Sequence, residues 1–212
     1  RVMSSPLHVL DADCSGEDAA RLMARHDVRH IAVVDHDQRL LGVIAQNDLY
    51  ARLRSDIRSL AGRIHSAGDL DALAEAARAV RRFGVAQLQD GSSAEALTLH
   101  LSALNDALTA RAIDLVRAVH PDGAVFDRVR WCWLAFGSEG RMEQTFCTDQ
   151  DNGLVFEAPL GLTAASVRPA LLRVAGDINR ALAQLGFPLC EGGVMAGQPR
   201  CCLSLDEWRK AF

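Results

Sequence analysis

Two aspartates one residue apart, Asp149 and Asp151, follow a Gly137-Ser138 pair after ten intervening residues. Carboxylate oxygens are the preferred ligands of hard divalent cations, and Mg²⁺ binds through one or two carboxylates together with substrate phosphates. If the run Asp149 to Phe156 is extended, both carboxylates share one face about 7 Å apart, two residues at roughly 3.3 Å each. At an effective dielectric near 20 their repulsion is on the order of 2 kcal/mol, so a cation between them is favoured. The other half of the pattern suits an anion. A Gly-Ser turn opening a helix aims unpaired backbone N–H groups and a partial positive charge at whatever precedes it. Gly137 lets a phosphate approach the backbone, and the Ser138 hydroxyl can cap the helix or donate to the anion. A phosphate cradle beside a two-carboxylate metal site is the equipment for phosphoryl or nucleotidyl transfer by two metal ions. Arg141, one turn into the helix, either reaches a terminal phosphate or the leaving pyrophosphate, or pairs with Glu143 or Asp149. No general-base histidine is evident, and a metal-activated nucleophile needs none.

The flanking residues predict the elements that hold this constellation. Trp131 to Phe136 is an apolar run too short for a free-standing helix and reads as a buried strand. Glu139 to Gln144 are good helix formers, so strand, turn and helix follow one another. Asp149 to Phe156 reads as a second strand, with Gln150 and Asn152 on the face away from the aspartates. Val167, Leu171, Val174, Ile178, Leu182 and Leu185 give the cleanest amphipathic helix of the chain, predicted to lie across the back of the sheet and to end at Gly186-Phe187-Pro188. Leu189 to Ala196 is predicted to return as an edge or third strand with a glycine bend, and Ser204 to cap a last helix.

The string GSEGRMEQTFCTDQDNGLVF, with Arg141, Glu143, Thr148 and Asn152 in place, resembles the polymerase β-like nucleotidyltransferase superfamily. More narrowly it is similar to a bacterial family of nucleotidyltransferases attached to CBS domains and related to the uridylyltransferase of the nitrogen-signalling protein PII. The resemblance implies a nucleoside triphosphate substrate, two Mg²⁺ ions on Asp149 and Asp151, catalytic roles for Asp149, Asp151 and Arg141, and phosphate binding at Gly137 and Ser138. It also implies a PII-like protein among the acceptors. Enzymes of the superfamily commonly place a third carboxylate on the following strand, which makes Glu191 the candidate third metal ligand. A non-catalytic module that senses a nucleotide on the same fold is the competing function.

Upstream, Val2 to Leu10 reads as extended, and Ser15 with Asp18 forms a capping-box start for a helix carrying Ala19, Leu22, Met23 and His26. Ile31 to Asp35 and Leu40 to Ala45 are strands around a hairpin-like turn. This order, with Arg29 to Asp35 and Gly42 to Leu49, resembles one CBS motif of a pair, whose partner would lie upstream of the segment. By that resemblance Asp48 matches a ribose-holding aspartate and an adenine nucleotide is an implied ligand, while Ala45 stands where Ser or Thr is frequent. The alternative is a structural or dimerising module, with a homodimer formed through the CBS or helical region. Ile57 to His120 reads as helical, broken at Asp90-Gly91, with Leu97, Leu101, Leu104, Leu108, Leu115 and Val119 on a 3.6-residue period. The expected architecture is therefore α/β of the α+β kind. It comprises a CBS motif over 1–56, a helical region over 57–120 and a nucleotidyltransferase core with a mixed sheet and flanking helices over 121–212.

Composition bounds the rest. The chain has 212 residues, 49% hydrophobic and 24% charged, ordinary for a globular protein with ample core material. A net charge of −4 argues against a nucleic-acid partner. Six cysteines form no C-x-x-C pair and fit reduced thiols of a cytoplasmic protein. No apolar run reaches the roughly 18 residues of a membrane helix. Arg1 in place of an initiator Met fits a piece of a longer protein.

Overall fold

The computed structural model describes residues 7–146 and 148–211. The Val2 to Pro6 part of the first extended segment, Cys147 and Phe212 lie outside the described residues. The chain forms two compact units, Arg1–Ser59 with Phe83–Leu97, and Leu60–Arg82 with Thr98–Phe212.

In the first unit β1 (Val9–Asp11), α1 (Gly16–His26), β2 (His30–Val34) and β3 (Leu40–Ala45) precede the opening of α2 (Gln46–Ser66). β1 runs parallel to β2, and β3 pairs antiparallel with β2. The predicted capping box of α1 is present: Asp18 N–H donates to Ser15 Oγ at 3.1 Å, and the Asp18 carboxylate accepts from Ser15 N–H at 3.1 Å. The β2–β3 turn is held by the Asp35 carboxylate, which accepts the backbone N–H groups of Asp37 and Arg39. Ala19 and Met23 of α1 are buried, as are Ile31, Ala32 and Val34 of β2.

The second unit carries the end of α2, the first part of α3 (Leu70–Gln89) and most of α4 (Ala94–Val119). Then come α5 (Val125–Arg128), β4 (Arg130–Ala135), α6 (Gly137–Gly140), β5 (Asn152–Glu157) and α7 (Ala164–Leu185). A 3₁₀ turn (Pro199–Cys201), β6 (Cys202–Ser204) and α8 (Leu205–Ala211) complete it. The sheet order is β4-β5-β6, with β4 antiparallel and β6 parallel to β5. The mixed sheet with flanking helices is the α+β arrangement expected. Being central, β5 buries Asn152, Gly153, Leu154 and Phe156. Against it α7 presents Leu171, Val174, Ile178 and Leu185, all essentially inaccessible. The Thr163–Ser166 capping box starts this helix, and Gly186 ends it in the left-handed conformation at φ 95°.

Three predicted elements differ. The third strand is Cys202–Ser204, and Leu189 to Ala196 is a looped segment. Gly192-Gly193, with Gly193 at φ 67°, turns that segment before it can lie extended, although Asn152 N–H still donates to the Val194 carbonyl at 3.0 Å. The second strand begins at Asn152 rather than Asp149. The helix predicted over Glu139 to Gln144 is a single turn, Gly137–Gly140. After it Met142 takes a left-handed backbone (φ 59°), and Gln144 is buried with its N–H donated to Ser102 Oγ of α4 at 3.2 Å. Packing of this segment onto α4 overrides its helix propensity.

A buried lattice of side-chain amides locks β5, α7 and the loop together. Gln150 Nε2 donates to the carbonyls of Asn179 (2.9 Å) and Phe187 (2.8 Å), and its Oε1 accepts from Asn179 Nδ2 at 2.8 Å. Asn179 Nδ2 also donates to Asn152 Oδ1 (3.0 Å), which accepts Ala196 N–H (2.8 Å), while Asn179 Oδ1 accepts Gly197 N–H (2.9 Å). The close approach of loop to helix requires glycine at 197, because a Cβ there would lie 2.7 Å from Gly176 Cα. Removing one member strands buried polar partners, each at about 1–3 kcal/mol. Asn179→Ala is therefore expected to lower unfolding free energy by about 2–3 kcal/mol, read as a lower urea midpoint at unchanged slope.

Candidate functional site

Asp149 and Asp151 flank Gln150, whose side chain is buried in the lattice, so the alternation of an extended segment turns both carboxylates away from the core. The segment is tied on both edges: the Asp151 carbonyl accepts Phe136 N–H at 2.8 Å, and Gln150 N–H donates to the Pro188 carbonyl at 2.9 Å. Asp149 is exposed and Asp151 half-buried. Asp149, Asp151 and Cys190 each offer one ligand atom, and these atoms lie within 4.8 Å of one another.

The Gly-Ser turn meets this group directly. Gly137 sits at φ 52°, and a Cβ on it would fall 2.5 Å from Asp151 Oδ2. Two independent demands, a left-handed backbone and the absence of a side chain, converge on glycine here. Because α6 is a single turn, little macrodipole backs the cradle. What remains for an anion is the turn itself, with Ser138 half-buried in it. Ser138 also closes the turn, its carbonyl accepting Glu143 N–H at 2.9 Å.

The other candidates fall as follows. Arg141 lies on the exposed side of the turn with its Nε donating to Glu143 Oε2 at 2.8 Å. That is one of the two readings its position allowed. Glu191 is exposed and is not in the cluster; its neighbour Cys190 is, with the thiol donating to Asp151 Oδ1 at 3.3 Å. The loop presents Cys190, and not Glu191, to the aspartates. In the first unit, Asp48 Oδ2 accepts Ala45 N–H at 3.2 Å at the head of α2. A cavity of about 560 Å³, lined among others by Leu70, Leu115, His120, Asp177 and Arg180, includes none of these carboxylates in its lining.

Two acidic residues that spacing did not reveal lie within electrostatic range of one another at the site. Burial pushes the Glu139 carboxyl up to about 7, with the negative charges of Asp106 and Asp151 reinforcing the shift. Burial also raises Asp106 of α4 above its ordinary value. Glu139 stands in the middle of the GSEGR string, yet only the fold brings Asp106 into range across more than thirty residues. Two carboxylates at a phosphate-accessible surface fit Mg²⁺ as residues to hold it; a thiol beside them is not a ligand Mg²⁺ prefers.

The family model described as "Putative nucleotidyltransferase DUF294" matches residues 78–212. The chain belongs to that family. A CBS-domain model matches residues 1–55. No curated protein and no solved structure matches the chain. The DUF294 match spans the cradle and both aspartates, and nucleotidyl transfer, the activity named in that description, is one that uses a nucleoside triphosphate and a divalent cation. Among the described residues no helix is long and apolar enough to cross a membrane.

Two outcomes follow from this geometry. Gly137→Ala is expected to force the turn off Asp151 and weaken divalent-cation binding by about tenfold or more, measured by titration calorimetry. Glu139 holds a proton in the folded chain up to about pH 7 but in the unfolded chain only to its ordinary value near 4.5. The folded state therefore binds more protons across that window, and this group's contribution falls as pH rises from about 4.5 to 7, by at most about 3 kcal/mol. In metal-free protein Glu139→Gln is expected to flatten that slope in urea denaturation series.

Proposed function

We propose that this chain is a nucleotidyltransferase that moves a nucleoside monophosphate from a triphosphate to a hydroxyl of a protein or small molecule. The observation that carries the reading is the contact of the Gly137 turn with the Asp151 carboxylate, Asp149 standing beside it. In this reading Gly137 and Ser138 hold the β- and γ-phosphates, and Asp149 and Asp151 hold Mg²⁺ against them. A pair of such ions supplies charge neutralisation at the phosphates and a lowered pKa for the attacking hydroxyl. Arg141 leaves Glu143 for the pyrophosphate as it departs. Both groups are exposed, so exchanging one anionic partner for another costs little. A PII-like acceptor is the proposal that goes with the string's resemblance to a family related to protein-PII uridylyltransferase.

The CBS motif over 1–56 acts as the regulatory part, joined through helices of the 57–120 region to the transferase over 121–212. An adenine nucleotide, with Asp48 at its ribose, is the ligand proposed for a complete CBS pair, and a homodimer through the CBS or helical region its assembly. A cytoplasmic location is proposed with the triphosphate substrate, in keeping with the free cysteines among the described residues. The rival reading, a sensor that binds nucleotide without turnover, draws on the absence of Glu191 from the cluster.

Full-length protein incubated with Mg²⁺, each α-labelled triphosphate and candidate acceptors separates the two. Label transfer is expected, reduced by on the order of 10²–10³-fold in Asp151→Asn. Mg²⁺-dependent nucleotide binding without pyrophosphate release would establish the sensor instead.

A further inference from the structure

The Cys190 thiol joins the two aspartates at the candidate metal site. It donates to Asp151 Oδ1 at 3.3 Å, and its sulfur falls within the 4.8 Å that encloses one ligand atom from each aspartate. Its position is built. Gln150 N–H donates to the Pro188 carbonyl (2.9 Å) and Asn152 N–H to the Val194 carbonyl (3.0 Å), so the loop is stitched to the aspartate segment on both sides of Cys190. Between those ties Gly193 N–H donates to the Cys190 carbonyl at 2.9 Å, and Arg200 donates to the Gly192 carbonyl. A donor held on two neighbouring segments needs little reorganisation to bind an ion. Its chemistry is that of a soft ligand: thiolate sulfur selects zinc-like cations, whereas Mg²⁺ takes oxygen and keeps its waters.

We propose that Cys190 Sγ is the third protein ligand of the Asp149–Asp151 cation site, so that Zn²⁺ binds there through two carboxylates and one thiolate and displaces Mg²⁺. The proposal rests on the metal site of the preceding subsection. On binding, the S–H bond breaks, a sulfur–zinc bond forms and the proton leaves to solvent, with no change of oxidation state. A four-coordinate ion held by three protein ligands keeps one open position. Zn²⁺ held there would compete with Mg²⁺ for Asp149 and Asp151.

The test uses the full chain with Cys14, Cys132 and Cys147 replaced by serine, which leaves Cys190 as the accessible thiol among the described residues, Cys201 and Cys202 being buried. Cd²⁺ is the spectroscopic probe for zinc, and loss of the free-ion resonance reports Mn²⁺ binding. The expected result is one thiolate-to-Cd²⁺ charge-transfer band per chain, lost in Cys190→Ser and in Asp149→Asn with Asp151→Asn. Cys190→Ser is also expected to weaken Zn²⁺ by about 10–100-fold while Mn²⁺ binding stays close to that of the parent. A band and a Zn²⁺ affinity unchanged in Cys190→Ser, with Mn²⁺ still bound, overturn the proposal and leave the metal site standing. Failure of the parent to bind Mn²⁺, Mg²⁺ or Zn²⁺ overturns the metal site and the proposal together. Circular dichroism of Cys190→Ala, which keeps the small side chain, checks that the loss comes from the ligand and not from unfolding.

Discussion

The site depends on a lattice of three buried amides. Gln150, Asn152 and Asn179 satisfy one another and four backbone groups of the 187–197 loop and α7. In a low-dielectric interior such a lattice is costly if incomplete and rigid if complete. Because Gln150 is fixed inward, Asp149 and Asp151 are fixed outward. The carboxylates project from the surface because their neighbour is satisfied beneath it. The same lattice anchors the loop carrying Cys190 and brings Gly197 against Gly176, so one set of hydrogen bonds sets both the acidic edge and the segment that faces it.

A second constraint meets the first at Gly137. β4 and β5 are paired as far as Ala135 and Asn152, and Phe136 N–H then donates to the Asp151 carbonyl, so the chain leaving β4 must turn directly over the aspartate. Only a residue without a Cβ fits that turn. Behind it, α8 braces the open edge of the sheet. Glu207 accepts from Ser204 N–H at 2.7 Å and pairs with Arg168, contacts that hold its carboxyl at about 2. Trp208 Nε1 donates to the Leu154 carbonyl at 3.2 Å. Burial pushes the adjacent Cys202 thiol up to about 12, which keeps it inert and sets it apart from half-buried Cys190.

Much of this is legible in the chain because the signals are local. The apolar run before Gly137, the 3.6-residue period of α7, the Ser15 and Ser204 caps and the Asp-x-Asp alternation each follow from residues within one or two turns of one another. What is not legible depends on tertiary packing. Residues 139–144 have helical propensity, yet Gln144 is drawn onto Ser102 of α4, and the chain turns at Met142 instead. β6 is three residues long, and nothing in Cys202–Ser204 marks it as a strand apart from its pairing with β5. In the glycine loop it is Cys190, one residue before Glu191, that falls within reach of the aspartates, a difference of one position that side-chain chemistry alone does not reveal. Asp106 carries no pattern at all; its charge is felt by Glu139 because the segment after the turn is bonded to α4.

The most direct measurement is a crystal structure of the protein with Mn²⁺ and a nonhydrolysable nucleoside triphosphate, located by anomalous scattering from the metal. The account predicts a manganese peak bonded to Asp149 and Asp151, with the terminal phosphates seated over Gly137 and Ser138. Manganese absent from those carboxylates, or a nucleotide lodged in the cavity beside His120 and Arg180, would contradict it.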